Sequence, residues 1–518
     1  MIQIDGNSLT IGDIKQIAAG DEQVSLSPDI IQKIQESRQW VEDIINRGDP
    51  VYGINTGFGI FADKQISTAE TRLLNRNLIL SHAVGTGIPL PTEVVRAAML
   101  IRANTLAKGF SGVRLCLVET LLSMLNKGLH PIIPSQGSLG SSGDLAPLSH
   151  LGLVLSTDEE DLVELSGYAE YQGKEYSGKE AMQKAGIPRI ILEAKEGIAL
   201  NNGATFSAAL AALSCFAAKD LLEISEISLG MSLEALLGTS NAFDARIHKS
   251  RQHPGQISVA KKVRELTQGS TLLDSTERVQ DAYSLRCSPQ VHGPAKETLI
   301  FTENVITREI NAATDNPLLF GEGEAISGGN FHGEPIGMVM DFLSIAMTEI
   351  AGISERRVYR LTDGRLNENL PSMLVDNHES AGLNSGMMMP QYTAASLVLE
   401  NRALATPDSI YSLPTSAAQE DHNANAMTAS RHTYQIITNT KQVLAIELYT
   451  AARALDLRLR ENPDKNPGRG TAIAYKIIRK NVPYQPGDTL WGPEIDRVRD
   501  LIENRELLSA VNKALDSK

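Results

Sequence analysis

The sequence predicts a mainly helical protein in which long helices alternate with elaborate loops. Apolar residues recur at three- and four-residue steps through several long segments, which is the spacing of one face of a helix. Runs of alternating β-branched residues, which would predict strands, are scarce. The loops between the helical segments are dense in glycine and asparagine, and loops held by a rigid scaffold often carry function.

The first long helix is predicted from Glu93 to Lys108. Thr92 precedes it as a candidate cap, and Gly109 follows it as a residue that ends helices readily. Apolar side chains cover nearly all sides of this segment rather than one stripe. A helix with that composition is expected in the interior of the protein.

The same spacing predicts four further helices, and a different pattern predicts one hairpin. The helices are expected at roughly Thr205 to Leu237, Ile336 to Leu361, Pro390 to Leu404 and Ala429 to Leu457. Tyrosines on both sides of Gly173 predict a small surface hairpin in the polar stretch from Gly167 to Ser177. We therefore expect a loop-rich N-terminal part at residues 1–200 and a long-helix bundle with a C-terminal helical part at residues 201–518.

Composition narrows the functional class and the compartment. The 518 residues include 48 Lys plus Arg and 62 Asp plus Glu, for a net charge of −14, so a nucleic-acid partner is not expected. Three cysteines cannot build a disulfide framework, and the segment Met1 to Thr10 lacks the layout of a secretory signal. Gly197 to Ala218 is free of charge, but its asparagines favour a buried helix over a membrane span. We expect a cytoplasmic protein without membrane contact.

Five loops are too rich in turn formers and polar amides to be simple connectors. They are Tyr52 to Gly59, Gly137 to Leu148, Lys195 to Gly203, Gln280 to Gly293 and Thr314 to Glu334. Metal and nucleotide sites are not indicated in them or elsewhere. His378-Glu379 has Gly382 where a zinc-binding H-E-x-x-H needs its second histidine, and the glycine motifs of nucleotide-binding loops are missing.

The triad Ser141-Ser142-Gly143 can generate an electrophile from the chain itself. In a bent conformation, the amide nitrogen of Gly143 can attack the carbonyl carbon of residue 141, and a glycine amide is the least hindered for that attack. Ser142 can then lose its hydroxyl as water. The product is 4-methylideneimidazol-5-one, an electrophilic alkene that requires no external cofactor.

Together with the other four loops, in their order along the chain, this triad resembles the aromatic amino acid ammonia-lyases. The resemblance extends from about Tyr52 to about His422. That family forms its 4-methylideneimidazol-5-one from Ala-Ser-Gly, so Ser141 departs from the usual pattern. The resemblance implies an extended central helical bundle of the ammonia-lyase (fumarase/aspartase-like) type with a loop-rich active-site region. It also implies a homotetramer whose active sites are shared between subunits.

The resemblance assigns roles to three residues of the loops. Tyr52 in YGINTGFG matches the catalytic base, Tyr283 in YSLR assists proton handling, and Arg286 pairs with the substrate carboxylate. A planar guanidinium suits that last role because it can donate two parallel hydrogen bonds. A tyrosine has a reference pKa near 10, so it serves as a base only if positive potential, such as that of helix N-termini, lowers its pKa.

The remaining pocket residues also follow from the resemblance. Asn202 in KEGIALNNG and Asn316 in TDNPLL match amides near the electrophile and the substrate carboxylate, while Gln280 and Phe331 match the pocket wall. Gly143 completes the triad.

Side-chain selectivity is implied by two further strings. His82 in LSHAVGTG, with Gln419 and Glu420 in TSAAQEDH, is similar to the members of the family that act on histidine. A glutamate can accept a hydrogen bond from an imidazole, whereas a phenyl ring could not repay its desolvation. The resemblance thus implies conversion of L-histidine into trans-urocanate and ammonia.

Some residues depart from the family pattern and leave alternatives open. Thr406 and Asp408 differ from the usual His and Ala, and the string from Asn423 to Ala426 replaces Val-Ser-Met-Gly. Tyrosine or another aromatic amino acid is an alternative substrate, and aminomutase chemistry is an alternative outcome with the same electrophile. A degenerate helical member without activity is the non-enzyme alternative.

Overall fold

The computed structural model describes residues 1–321 and 324–517, and residues 322 and 323 of the fifth loop lie outside the description. The predicted mainly helical class is confirmed. The helices are α1 Ile11–Ala19, α2 Pro28–Arg47, α3 Thr71–His82, α4 Thr92–Ala107, α5 Leu115–Asn126, α6 Leu145–Leu155, α7 Gly178–Ala185, α8 Glu196–Asn201, α9 Thr205–Ala235, α10 Ala245–Arg251, α11 Pro254–Leu266, α12 Tyr283–Arg286, α13 Ser288–Glu309, α14 Glu334–Thr362, α15 Met388–Leu404, α16 Ala426–Glu461, α17 Arg469–Asn481, α18 Trp491–Glu503 and α19 Glu506–Asp516.

Short strands form small sheets between the helices. They are β1 Ile2–Ile4, β2 Val24–Leu26, β3 Thr86–Pro89, β4 Leu129–Pro131, β5 Pro134–Gln136, β6 Ser156–Thr157, β7 Tyr168–Tyr171, β8 Lys174–Ser177, β9 Ile190–Ile191, β10 Leu318–Phe320 and β11 Glu324–Ile326. The predicted hairpin is confirmed, since β7 and β8 pair antiparallel and Gly173 takes a φ of 72° at the turn. In addition, β7 pairs with β4, so the hairpin belongs to a three-stranded sheet.

The predicted long helices are confirmed, with shifted ends. Helix α4 is buried from residue 94 to residue 107, as expected for a segment that is apolar on all sides. Its cap was predicted wrongly, because Thr92 is the first helical residue and the extended Pro91 precedes it without a side-chain cap. Helices α14 and α16 begin two and three residues before their predicted starts, since apolar spacing does not define the first turn of a helix.

The chain forms two compact units. The first unit contains Met1–Phe216, Thr302–Asp341 and Pro407–Tyr434, and the second contains Ala217–Phe301, Phe342–Thr406 and Gln435–Lys518. Each unit is therefore discontinuous in sequence, and four of the boundaries fall inside α9, α13, α14 and α16. The expected division into a loop-rich part at residues 1–200 and a long-helix part at residues 201–518 describes the kind of local structure in each part, and it stays a prediction.

Among the described residues, two helices are long and apolar enough to cross a membrane by length and composition, namely α9 and α14. Most of the apolar stretch is buried inside the protein in each helix, with 78% buried in α9 and 67% buried in α14. Core helices of large proteins pass the same test. The second unit also buries polar groups around Glu447 on α16, which accepts hydrogen bonds from Arg357 and Ser228, so its interior is not purely apolar.

Candidate functional site

The triad Ser141-Ser142-Gly143 lies immediately before α6, with its backbone pressed against the loop that ends at Gly203. Gly143 has a φ of 81°, and a Cβ atom placed on it would lie 2.1 Å from the amide nitrogen of Gly203. The amide of Asp144 donates to the carbonyl of Gly203 over 2.9 Å. Only glycine therefore allows this close approach at residue 143.

Two donors meet at the carbonyl oxygen of Ser142. The Nδ2 of Asn202 donates to it over 2.6 Å, and the amide of Gly203 donates over 3.3 Å. The Oδ1 of Asn202 is buried and has no hydrogen-bond partner among the described residues. The site therefore polarises the peptide carbonyl of Ser142 and keeps one acceptor open beside it.

Asp144 attaches the triad to the start of α9. Its buried carboxylate accepts hydrogen bonds from the amide of Ser207 over 2.8 Å and from the Ser138 hydroxyl over 2.7 Å. Burial raises the pKa of Asp144, and these hydrogen bonds act in the opposite direction. A carboxylate at a helix N-terminus is also favoured by the helix dipole. The loop that carries the triad is thus held at the start of a 31-residue helix.

A buried ion pair joins two of the motif loops. The Nζ of Lys195 lies 2.5 Å from the Oδ2 of Asp315, and both side chains are fully buried. The Ser111 hydroxyl donates to the other carboxylate oxygen over 2.8 Å. Arg102, whose pKa burial lowers to about 10, donates to the carbonyl of Ala199 over 3.3 Å. These contacts fix the loop Lys195 to Gly203, which supplies Asn202, against the loop that supplies Asn316.

Lys195→Met is expected to lower the free energy of unfolding by about 3–5 kcal/mol, because it leaves the carboxylate of Asp315 buried without its cation. Urea unfolding followed by circular dichroism measures the change. Lys15→Met is the matched control, since Lys15 pairs with Glu93 at a half-exposed site. The control is expected to lose at most about 1 kcal/mol. Equal losses in the two variants would contradict a structural role for the buried pair.

Two cavities of about 730 Å³ each meet at Ser142. Tyr52, Gly59, Ser142 and Glu420 line both of them. The first cavity also contains predicted residues His82 and Asn202, and the second contains Ser141, Phe331 and Gln419. Most of the predicted site residues of the first unit are thus brought together around one serine.

The electrostatics at Tyr52 differ from the expectation. Burial raises the pKa of Tyr52 above its usual value of 10, and the charge of Glu420 raises it further, while a weak hydrogen bond from the amide of Gly59 opposes them. The lowering that a tyrosine base requires is therefore not found among the described residues of a single chain. Burial likewise lowers the pKa of His82, against the influence of Glu420.

Five predicted residues do not line these cavities, and one of them is Gly143, which lies next to Ser142 against Gly203. Asn316 is buried nearby, where it donates to the Ser327 hydroxyl over 3.0 Å, and Ser327 lines the second cavity. Gln280, Tyr283 and Arg286 belong to the second unit. The ring of Tyr283 is 70% exposed, and the guanidinium of Arg286 stacks on it at 4.8 Å. These two side chains are therefore available for contacts that the single chain does not satisfy.

Several residues that build the site escaped the sequence analysis. Asp144 and Lys195 lie in two of the five loops, but the sequence did not predict a role for either of them. It did not predict a role for Arg102 either. The available signal was a charged residue within a segment that is mostly apolar, as for Arg102 in α4. His332 and His422, whose rings stack at 6.0 Å beside the second cavity, carried no such signal.

The chain is similar to known proteins in both sequence and structure. A sequence profile of the aromatic amino acid lyase family matches residues 9–480. The chain is 48% identical to histidine ammonia-lyase of Caldanaerobacter subterraneus subsp. tengcongensis, across 99% of this chain and 96% of that protein. The crystal structure of histidine ammonia-lyase from Trypanosoma cruzi aligns with a TM-score of 0.90 at 36% identity, covering 99% and 96% of the two chains. Tyrosine aminomutase from Streptomyces globisporus aligns with a TM-score of 0.92 at 33% identity, covering 100% and 99%.

Proposed function

The chain belongs to the aromatic amino acid lyase family and is a carbon–nitrogen lyase, and on that premise we propose that it eliminates ammonia from L-histidine to form trans-urocanate. Similarity to histidine ammonia-lyases over nearly the full length supports this substrate. The observation that carries the proposal is that Ser142 and Glu420 line the same two cavities. An electrophile precursor and a carboxylate suited to an imidazole therefore face one space.

We propose that Ser141, Ser142 and Gly143 form 4-methylideneimidazol-5-one, the group on which this family depends. The amide nitrogen of Gly143 bonds to the carbonyl carbon of Ser141, whose oxygen leaves as water, and Ser142 then loses its hydroxyl and α-hydrogen as a second water. The group supplies an electrophilic alkene that makes the substrate's amine a good leaving group. The glycine contact at residue 143 and the two donors on the Ser142 carbonyl fit such a ring.

We propose Tyr52 as the base that removes the β-proton of the substrate. Its raised pKa within one chain means that a positive group must come from elsewhere. Arg286, with Tyr283 and Gln280, is proposed to reach the site from a neighbouring subunit of a homotetramer, where Arg286 binds the substrate carboxylate. Asn202, Asn316 and Phe331 are proposed to complete the pocket around the electrophile. The three cysteines are free thiols, which supports a proposed cytoplasmic location.

The imidazole is proposed to lie between His82 and the pair Gln419-Glu420. A carboxylate can accept a hydrogen bond from the imidazole N–H and stabilise positive charge on the ring. The pKa of His82 is lowered by burial, so at neutral pH it presents an uncharged ring to the substrate. This arrangement favours histidine over phenylalanine, which offers no donor to the carboxylate.

Glu420→Gln is expected to reduce kcat/KM for histidine by about 10- to 100-fold, the usual value of a hydrogen bond to a charged group. The loss should fall mainly on kcat, because the substrate's backbone groups bind elsewhere. Steady-state urocanate formation measures it. Asp421→Asn is the matched control, since it removes the same charge at a residue that lines only the second cavity. A loss as large in the control as in Glu420→Gln would contradict the assignment.

An aminomutase is the second candidate function, because the fold matches tyrosine aminomutase with a TM-score of 0.92. Incubation of the purified protein with L-histidine, L-tyrosine and L-phenylalanine, followed by mass spectrometry of all products, separates the candidates. We expect urocanate and ammonia from histidine alone. A β-amino acid would identify an aminomutase, and a cinnamate-type acid would identify another aromatic substrate.

A further inference from the structure

We propose that Ser141 and Asn423 form a polar latch that holds the loop bearing Glu420 against the electrophile-forming triad. The inference rests on the proposed function only for the role of Glu420. The hydroxyl of Ser141 donates a hydrogen bond to the Oδ1 of Asn423, across 282 residues of sequence. Both side chains are buried, with relative exposures of 4% and 0%. Both are also positions where the sequence departs from the family pattern.

The backbone amide and the Nδ2 of Asn423 bind the start of the loop that carries Glu420. Its backbone amide donates to the Ser412 hydroxyl over 2.8 Å, and its Nδ2 donates to the carbonyl of Leu413. The side-chain amide therefore accepts from the triad at one end and donates to the start of the loop at the other. Because a buried amide with both ends paired has one favoured orientation, Asn423 is a fixed point.

The position of Glu420 follows from these contacts. Thr415 and Glu420 face each other, with the amide of Thr415 donating to the carbonyl of Glu420 over 2.8 Å and the amide of Glu420 donating back over 3.3 Å. The intervening residues from 416 to 418 all have positive φ angles, so the turn is tight and strained. Glu420 is thus part of a small closed loop. The hydrogen bond between Ser141 and Asn423 is one of the contacts that attach this loop to the triad.

Separate contacts hold the residues that follow Asn423 in place without the latch. The Nδ2 of Asn425 donates to the carbonyls of Asp408 and Tyr411 over 3.0 and 2.9 Å. Close packing of Gly140 against Ala426 is likewise independent of the Ser141 hydroxyl. Loss of that hydroxyl is therefore expected to loosen the loop rather than unfold the site.

Hydrogen exchange of the full-length protein tests the latch directly. In Ser141→Ala, the amides of Thr415, Glu420 and Asn423 are expected to exchange about tenfold faster than in the wild-type protein, because the hydrogen bond is lost and the buried Oδ1 of Asn423 is left without its donor. Ser37→Ala is the matched control. It removes another buried serine hydroxyl, which donates to the carbonyl of Ile34 over 3.0 Å on α2, and should leave these amides unchanged.

Two further variants separate the latch from general loosening. Ser141→Thr retains a hydroxyl and is expected to restore slow exchange. In an Asn423→Ala background, Ser141→Ala should cause no additional increase, because the bond is already absent. Unchanged exchange in Ser141→Ala, or the same increase in Ser37→Ala, would overturn the latch. Additive effects of the Ser141 and Asn423 substitutions would overturn it as well.

Kinetics then test the positioning of Glu420. The cost of Glu420→Gln in kcat is expected to be about tenfold smaller in the Ser141→Ala background, since a displaced carboxylate has less effect to lose. Intact mass must first show the same loss of two waters in all variants compared, so that slow ring formation is not mistaken for poor positioning. An unchanged cost overturns the positioning role. If the wild-type protein does not act on histidine, the proposed function fails. The hydrogen-exchange data still decide whether the latch exists.

Discussion

Ser142→Ala is expected to abolish ammonia release, with kcat falling by a factor on the order of 10⁴ or more, as when other enzymes lose their covalent catalytic group. Residue 142 supplies the carbons of the proposed exocyclic alkene, and alanine has no hydroxyl to lose as water. The two donors that now polarise the carbonyl of residue 142 would remain, but no alkene would exist for them to activate. Urocanate formation from L-histidine, followed over a long time course, measures the effect.

A control must show that this loss is chemical rather than structural. Ser156→Ala removes another buried serine hydroxyl, which donates to the carbonyl of Gly152 at the end of α6. It is expected to retain activity within a few-fold, and both variants should unfold at temperatures close to that of the unmodified protein. Turnover by Ser142→Ala within about tenfold of the unmodified rate would end the proposed electrophile.

Tyr52→Phe is expected to lower kcat by about 10²- to 10⁴-fold, the usual contribution of a general base. The active form of Tyr52 is the deprotonated one, and burial and Glu420 raise its pKa above 10. The deprotonated fraction should rise about tenfold per pH unit while the pH lies below the pKa that Tyr52 has in the assembled enzyme, where the proposed positive group opposes this increase, and activity should rise with it until that pKa is reached. The pH profile of kcat is expected to lose this slope in Tyr52→Phe.

Tyr176→Phe is the matched control, because Tyr176 lies on β8 of the surface hairpin and should leave the profile unchanged. A rising profile that persists in Tyr52→Phe would mean that another group is the base.

The proposed sharing of sites can be tested with the same variant. Co-expression with Arg286→Met should restore part of the activity, because some sites would then combine an intact Tyr52 with an intact Arg286. A mixture that stays inactive would contradict a shared site.

Much of the fold could be predicted because a helix has a local period. The long apolar segments that became α4, α9 and α16 needed only their own spacing to be recognised. Helix ends depend on single contacts, so Thr92 was misread as a cap when Pro91 already sets the start of α4. The discontinuous units follow from contacts between segments far apart in sequence, which no local pattern reports.

The site was predicted through motifs rather than through geometry. Motif strings were sufficient to place Tyr52, His82 and Glu420 with Ser142, and the two cavities join them in one region. The bond between Ser141 and Asn423 was not foreseeable, because each residue looked like an isolated departure. The sign of the pKa shift at Tyr52 was also out of reach, since it depends on burial and on the distance to Glu420.

The intact mass of the purified full-length protein tests the central claim most directly. If Ser141-Ser142-Gly143 cyclises and dehydrates, the chain should be lighter than its sequence by two waters, and peptide mapping should confine the loss to residues 141–143. The same measurement on Ser142→Ala should lack at least the second loss. A chain with the full mass of its sequence would contradict the self-formed electrophile and, with it, the mechanism proposed for ammonia release.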